Sequence, residues 1–194
     1  MPGRCKWILA LVAIAGVSLF FVSEFLLAAG LSHGQAEIQA RNLWKMADAK
    51  RAQGKFEDAI KAYEKSIEIL AQSDVHGISS DKTTLGLAPR QMIELCKDMP
   101  IDVKKLKDGT YEGTAWGYQA QMTVEITLQS GRIKQFKVKD EKESSPRTAL
   151  QFVPKAIMAR QSCSVDAVSG ATCTSYGLMV ATQRALDKAR ETDK

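Results

Sequence analysis

Residues 122–138 read MTVEITLQSGRIKQFKV. Met122, Val124, Ile126 and Leu128 alternate with Thr123, Glu125 and Thr127. This is the period-two pattern of a strand with one face in a core and the other in water. Gln129-Ser130-Gly131-Arg132 supplies a tight turn, and Ile133, Phe136 and Val138 mark the returning strand. An antiparallel hairpin is therefore expected in the carboxy-terminal half. Before it, Asp108-Gly109 is a turn signal, and Thr110–Gly117 (TYEGTAWG) carries glycines and aromatics. After it, Leu150, Val153, Ile157 and Met158 fall at helical spacing. Pro154 lies among them and sets the expected helix start near itself. A loop of small residues comes next, DAVSGATCTS at 166–175. It leads into Tyr176–Ala189, whose Leu178, Val180, Ala181, Ala185, Leu186 and Ala189 describe an amphipathic helix. Thr174 and Ser175 are natural N-caps for that helix.

The chemistry is expected on this loop. The first turn of a helix leaves backbone N–H groups without partners, and the helix dipole adds positive potential there. A phosphate is the natural occupant. Gly170 and Ala171 keep side chains small, so the backbone can approach an anion closely. Small polar loops are common, and taken alone this one implies an anion site and nothing finer.

Upstream, residues 36–70 read as two helices joined at Gly54. Leu43, Met46, Ala47 and Lys50 line one face of the first. Phe56, Ala59, Ile60, Tyr63, Ile67 and Leu70 line one face of the second. The string LWKMADAKRAQGKFEDAIKAYEKSIEIL at 43–70 resembles a single tetratricopeptide repeat. One such repeat cannot bury its apolar face alone, and about three are normally needed. It is therefore expected to pack on the carboxy-terminal domain, on another subunit or on a partner, or to act as a plain spacer. Residues 74–87 read as a linker, after which Gly86-Leu87-Ala88-Pro89 introduces a short helix, RQMIELCKDM.

At the amino terminus Arg4 and Lys6 precede an apolar run from Trp7 to Leu31 that is interrupted at Ser23-Glu24. A spanning helix needs about 20 apolar residues. Positive charge ahead of such a run favours a cytoplasmic amino terminus and export of the remainder of the chain. The run reads as a membrane anchor, with a cleavable signal ending near Ala28-Ala29-Gly30 as the alternative. Formal net charge is +5, with Lys and Arg interleaved among Asp and Glu, so nucleic-acid binding is not expected. The four cysteines, Cys5, Cys96, Cys163 and Cys173, form no C-x-x-C pair. His33 and His76 are isolated, so no metal site is expected.

Several of these stretches together resemble a known family. DGTYEG at 108–113, the hairpin, VPKAIMARQS at 153–162 and D-x-x-S-G-A-T resemble the FMN-binding domain of two flavin subunits. These belong to the sodium-pumping NADH:quinone reductase and the Rnf electron-transport complex. The resemblance spans about residues 107–189. It implies that Thr172 is the residue esterified to the phosphate of FMN by a flavin transferase that uses FAD. It further implies that Asp166 belongs to the sequence the transferase recognises, and that Ser169, Gly170, Ala171 and Thr174 line the phosphate. Glu143-Ser144 resembles the acidic element ahead of the family's central helix. Nothing basic adjoins Thr172 in sequence, which agrees with an external transferase, because a threonine hydroxyl is a poor nucleophile without a base. Cys163 and Cys173 flank the motif. In an exported protein they form a disulfide or remain two buried thiols, and both readings stay open.

The expected architecture is α+β, a small antiparallel sheet with helices, preceded by an α-helical hairpin and an amino-terminal transmembrane helix. The expected units are an anchor or signal at 1–35, the tetratricopeptide-like hairpin at 36–72, a linker with a short helix at 73–106 and the FMN-binding domain at 107–191. The function implied is that of an electron-carrying flavoprotein subunit, membrane-anchored and extracytoplasmic, working with membrane redox proteins. A redox-sensing or scaffolding module that binds a partner through its helical hairpin is the alternative. No acid–base constellation in the sequence points to a stand-alone enzyme.

Overall fold

The computed structural model describes residues 32–72, 84–139, 142–143 and 147–191. The Trp7–Leu31 run, Cys5, His76 and Ser144 lie outside them, and so does the expected anchor. No helix among the described residues is long and apolar enough to cross a membrane.

The expected hairpin is present and gains a third strand. β1 (Gly109–Trp116), β2 (Gln121–Gln129) and β3 (Arg132–Lys139) form one antiparallel sheet in that order. Met122, Val124, Ile126 and Leu128 all face the core, as their alternation requires. Ile133 and Phe136 are three apart, which in a regular strand would send them to opposite faces. A register shift resolves this. Thr127 pairs with Gln135 and Leu128 with Ile133, so Lys134 is the extra residue of a bulge. The opposite face meets water with a charge ladder, in which Lys139 pairs with Glu112 and Glu125, and Lys137 with Glu125 at 3.2 Å.

Among the described residues five helices accompany the sheet: α1 (His33–Ala52), α2 (Phe56–Gln72), α3 (Thr84–Lys97), α4 (Thr148–Arg160) and α5 (Thr172–Glu191). The fold is α+β, and α5 is its axis. It packs on β1 and β2, with α3 and α4 against its other sides. The sequence predicts an amphipathic helix from Tyr176. The helix instead begins at Thr172, and every residue from Cys173 to Gln183 is buried. A helix with neighbours all round has no water-facing stripe to display. Two glycines permit the close approach. A Cβ on Gly113 of β1 would collide with the Ala181 carbonyl oxygen, and one on Gly177 of α5 would lie 2.6 Å from the Trp116 carbonyl oxygen.

Two other starts are corrected. α4 begins at Thr148, not near Pro154, and α3 begins at Thr84, not after Pro89. Each proline sits inside its helix and removes one backbone bond, at a cost of about 3 kcal/mol. Burial of Ala149, Val153 and Ile157 in α4, and of Ala88, Met92, Leu95 and Cys96 in α3, offsets that loss. Each large apolar side chain contributes about 1.5–3 kcal/mol. The linker expected over 74–87 therefore ends at Thr84.

The α1–α2 pair turns at Gly54, which adopts φ +73°. Lys55 N–H donates to Lys50 O and Gly54 N–H to Arg51 O, the paired bonds of a Schellman turn. The buried face of α1 is rotated from the expected one. It consists of Ala36, Ala40, Trp44, Ala47 and Arg51, while Met46 is 57% exposed. The likeness to a tetratricopeptide repeat remains one of sequence pattern.

Glutamine side chains close both sheet edges. Gln91 of α3 receives Trp116 N–H at 2.8 Å and donates to Trp116 O at 3.0 Å. Gln161, just past α4, does the same at Ile133, at 2.6 and 3.2 Å. Edge groups left bare would invite pairing with another chain.

Gly113→Ala should destabilise the protein by about 1–3 kcal/mol through overpacking against α5. Gly34→Ala, in open space on α1, should leave stability unchanged or slightly higher. Urea unfolding midpoints of the two variants distinguish them.

Candidate functional site

The motif loop folds as a turn feeding α5. Ala171 N–H donates to Val168 O at 3.0 Å, with Gly170 at φ +80° in the third position, as a type II turn requires. A Cβ at Gly170 would meet nothing, so backbone conformation, not close packing, demands glycine there. Ser175 N–H donates to Ala171 O at 2.9 Å. Ala171 is thus the cap residue and Thr172 the first helical one. Thr174 and Ser175, expected as caps, lie inside the first turn. Ser175 Oγ locks the turn from within, accepting from Val168 N–H and donating to Ala171 O. An alanine side chain cannot cap. The N–H groups of Thr172, Cys173 and Thr174 consequently have no hydrogen-bond partner among the described residues. Three such donors at the positive end of a 20-residue helix suit an anion.

These groups open onto a cavity of about 660 Å³. Cofactor clefts typically measure about 300–1,000 Å³. Ser169, Gly170, Ala171, Thr172 and Thr174 all line it. Asp166 does not; it is exposed on the outer side of the loop, paired with Arg160 at 3.0 Å. Thr172 is half-buried, and its hydroxyl has no hydrogen-bond partner among the described residues. Glu143 also borders the cavity and works as a clamp. It accepts from Thr174 Oγ1 at 2.6 Å and from the N–H groups of Tyr118 and Gln119 at 3.0 and 3.3 Å. Tyr118, 55% exposed, lines the same cavity.

The remaining wall comes from α1, through Arg41, Trp44, Lys45 and Asp48. Asp48 is the joint. It accepts from Tyr63 OH at 2.7 Å, Tyr176 OH at 2.8 Å and Arg51 Nη2 at 3.2 Å. Arg51, 2% exposed, reaches on to Ser164 Oγ and Val165 O, both at 2.7 Å. Burial works against its charge, but Tyr63 and Asp48 outweigh that and raise its pKa. Burial holds the Tyr63 and Tyr176 hydroxyls far above their ordinary value, so both remain donors at physiological pH. The sequence reading missed Trp44, Asp48 and Arg51. Ala36-Ala40-Trp44-Ala47-Arg51 does fall at helical spacing, but small and charged residues hide it among the larger Leu43 and Met46.

Cys96, Cys163 and Cys173 are free and buried. Burial pushes the three thiols up to about 11, 12 and 11. Among the described residues no cluster of three or more His, Cys, Asp or Glu is placed to hold a metal ion.

Residues 117–187 match the FMN-binding domain. Its cofactor is FMN. The match starts beyond β1 and ends within α5, a shorter span than the expected 107–191, although β1 is part of the same sheet. An uncharacterized protein of Treponema pallidum (strain Nichols) is 34% identical over 86 residues, covering 43% of this chain and 24% of its own length. The NADH:acrylate oxidoreductase of Vibrio harveyi is 28% identical over 101 residues, covering 51% of this chain and 10% of its own length. The chain thus spans about a quarter and a tenth of these two relatives. The three N–H groups without partners among the described residues, on a turn beside this cavity, fit the phosphate of such a cofactor.

Asp48→Ala should cost about 3 kcal/mol, because it strands two buried hydroxyls and the buried Arg51 guanidinium. Calorimetric or urea unfolding checks this. With Cys5 replaced, native protein at pH 8 should resist iodoacetamide, since thiols at about 11–12 hold about one thiolate in a thousand or fewer. Denaturant should release three reactive thiols.

Proposed function

We propose that this chain carries FMN as a phosphoester on Thr172 and relays electrons between membrane redox proteins on the outer side of a bilayer. The observation that carries the reading is the placement of the Thr172 hydroxyl. It belongs to a residue that lines the cavity, beside three N–H groups without partners among the described residues, on the D-x-x-S-G-A-T turn. In the attachment step Thr172 Oγ bonds to the flavin-side phosphorus of FAD. The adenylate half leaves with the electron pair of the broken P–O bond, and the hydroxyl proton passes to a base. No described side chain is hydrogen-bonded to that hydroxyl, which supports an external flavin transferase as the source of the base.

Bound FMN supplies the redox chemistry, and the protein positions and tunes it. The first turn of α5 offers its N–H groups to the phosphate, with Ser169, Gly170, Ala171 and Thr174 around it. Asp166, exposed and away from the cavity, suits recognition by the transferase better than contact with the flavin. Attachment in this position keeps the cofactor from being lost by dilution outside the cytoplasm, because a linked group experiences a high effective concentration. The apolar Trp7–Leu31 run supports anchorage. The hairpin is docked on the domain and is not a free arm, which weighs against the scaffolding alternative.

The full chain co-expressed with a flavin transferase should give a fluorescent band after denaturing electrophoresis, and Thr172→Ala should give none. A band of equal intensity in the variant would sink the assignment.

A further inference from the structure

The cavity holds two acids and two bases, and their partners differ. Both acids are engaged within the protein. Asp48 takes three donors, and Glu143 takes Thr174 Oγ1 and two backbone N–H groups. The bases are far less committed. Lys45 has no ion pair or hydrogen bond with any described residue. Arg41 holds only Glu37 one turn away, at 2.8 Å, and lies 5.7 Å from the centre of the Trp44 ring. Such an exposed i,i+4 pair is worth a few tenths of a kcal/mol and yields easily to a better anion. Arg41 and Lys45 are four residues apart, so they stand one above the other on one face of α1. That face is fixed, because Asp48 and Arg51 bind α1 to α5 and to the loop before it. The charge of Arg41 is felt at Cys173, the neighbour of Thr172, where it counters the effect of burial on the thiol.

We propose that Arg41 and Lys45 form a cationic wall of the flavin site that favours the negatively charged reduced ring. The helical hairpin thereby sets the potential of the cofactor. This rests on the reading of Thr172 as the attachment residue. The phosphate is served by the N–H groups at the start of α5, which leaves the α1 wall to the ring. Reduction by two electrons with uptake of one proton adds one negative charge to a neutral ring. Two cations on that face stabilise that charge more than they stabilise the oxidised form, and a partly enclosed site strengthens the effect.

The test uses full chain loaded through the flavin transferase, as wild type, Arg41→Gln, Lys45→Gln and the double variant. Intact mass reads attachment, thermal unfolding reads folding and a reductive titration reads the midpoint potential. The double variant should carry FMN and melt as wild type does. Its potential should fall by an amount equivalent to about a tenfold weaker preference for the reduced state, about 30 mV for a two-electron couple. Arg41→Lys should restore most of the Arg41 share. An unchanged potential in a flavinylated double variant would overturn the proposal. So would loss of attachment in the variants alone, which would make these residues part of transferase recognition. Wild type without covalent flavin would instead defeat the underlying assignment at Thr172, an outcome read from its mass alone.

Discussion

Asp48 accepts hydrogen bonds from Tyr63 on α2, Tyr176 on α5 and Arg51 on α1, and the arrangement of the site depends on that convergence. One carboxylate joins the helical hairpin to the first turns of the central helix. Without it, two buried hydroxyls and a guanidinium would face a low-dielectric interior unpaired, a more costly state than losing any single contact. The aromatic rings reinforce the joint, with Tyr63 and Tyr176 edge to face at 6.2 Å and Trp44 tilted against Tyr176 at 6.1 Å. The hairpin therefore finds cover within the chain, against α3 and, through Trp44, Asp48 and Arg51, against the FMN-binding domain.

From that joint the rest of the geometry extends along α5. The helix is buried from Cys173 to Gln183, so it is held from all sides and its amino-terminal end is fixed in direction. Arg184 adds a bidentate pair with Glu94 of α3, at 2.8 and 2.6 Å, and a bond to Thr114 O of β1. A rigid helix start is what an anion site needs, since its N–H groups must be aimed before the ligand arrives. The turn before it is equally constrained, by Gly170 and by both bonds of Ser175 Oγ. Ala171 at the cap position leaves the first donors without a side-chain acceptor, a local loss of helix stability in the place where a phosphate would restore it.

What the sequence revealed, and what it did not, divides by range of interaction. The β2–β3 hairpin was legible because alternation and a Ser-Gly turn are local signals. The break at Gly54 was legible for the same reason. The motif loop was legible from its residue pattern, and the described geometry brings Ser169 to Thr172 and Thr174 to one cavity, while Asp166 stands outside it. The starts of α3 and α4 were misplaced because proline is a strong local signal that tertiary burial outweighed. The amphipathic reading did not extend to the first half of α5, because Cys173–Gln183 is buried throughout and still contains Thr182, which donates to Leu178 O, and Gln183, whose amide nitrogen donates to Asp98. The α1 wall was invisible because its meaning depends on a contact between residues 128 apart. No periodicity within α1 reports that.

The central claim concerns one hydroxyl, and trypsin isolates it. Cleavage after Arg160 and Arg184 releases residues 161–184 as one peptide containing Ser169, Thr172, Thr174 and Ser175. Fragmentation of this peptide, from protein matured with the transferase, should place one FMN, less one water, on Thr172 and on no other residue. An unmodified peptide from yellow protein, or a flavin on any of its neighbours, would contradict the account.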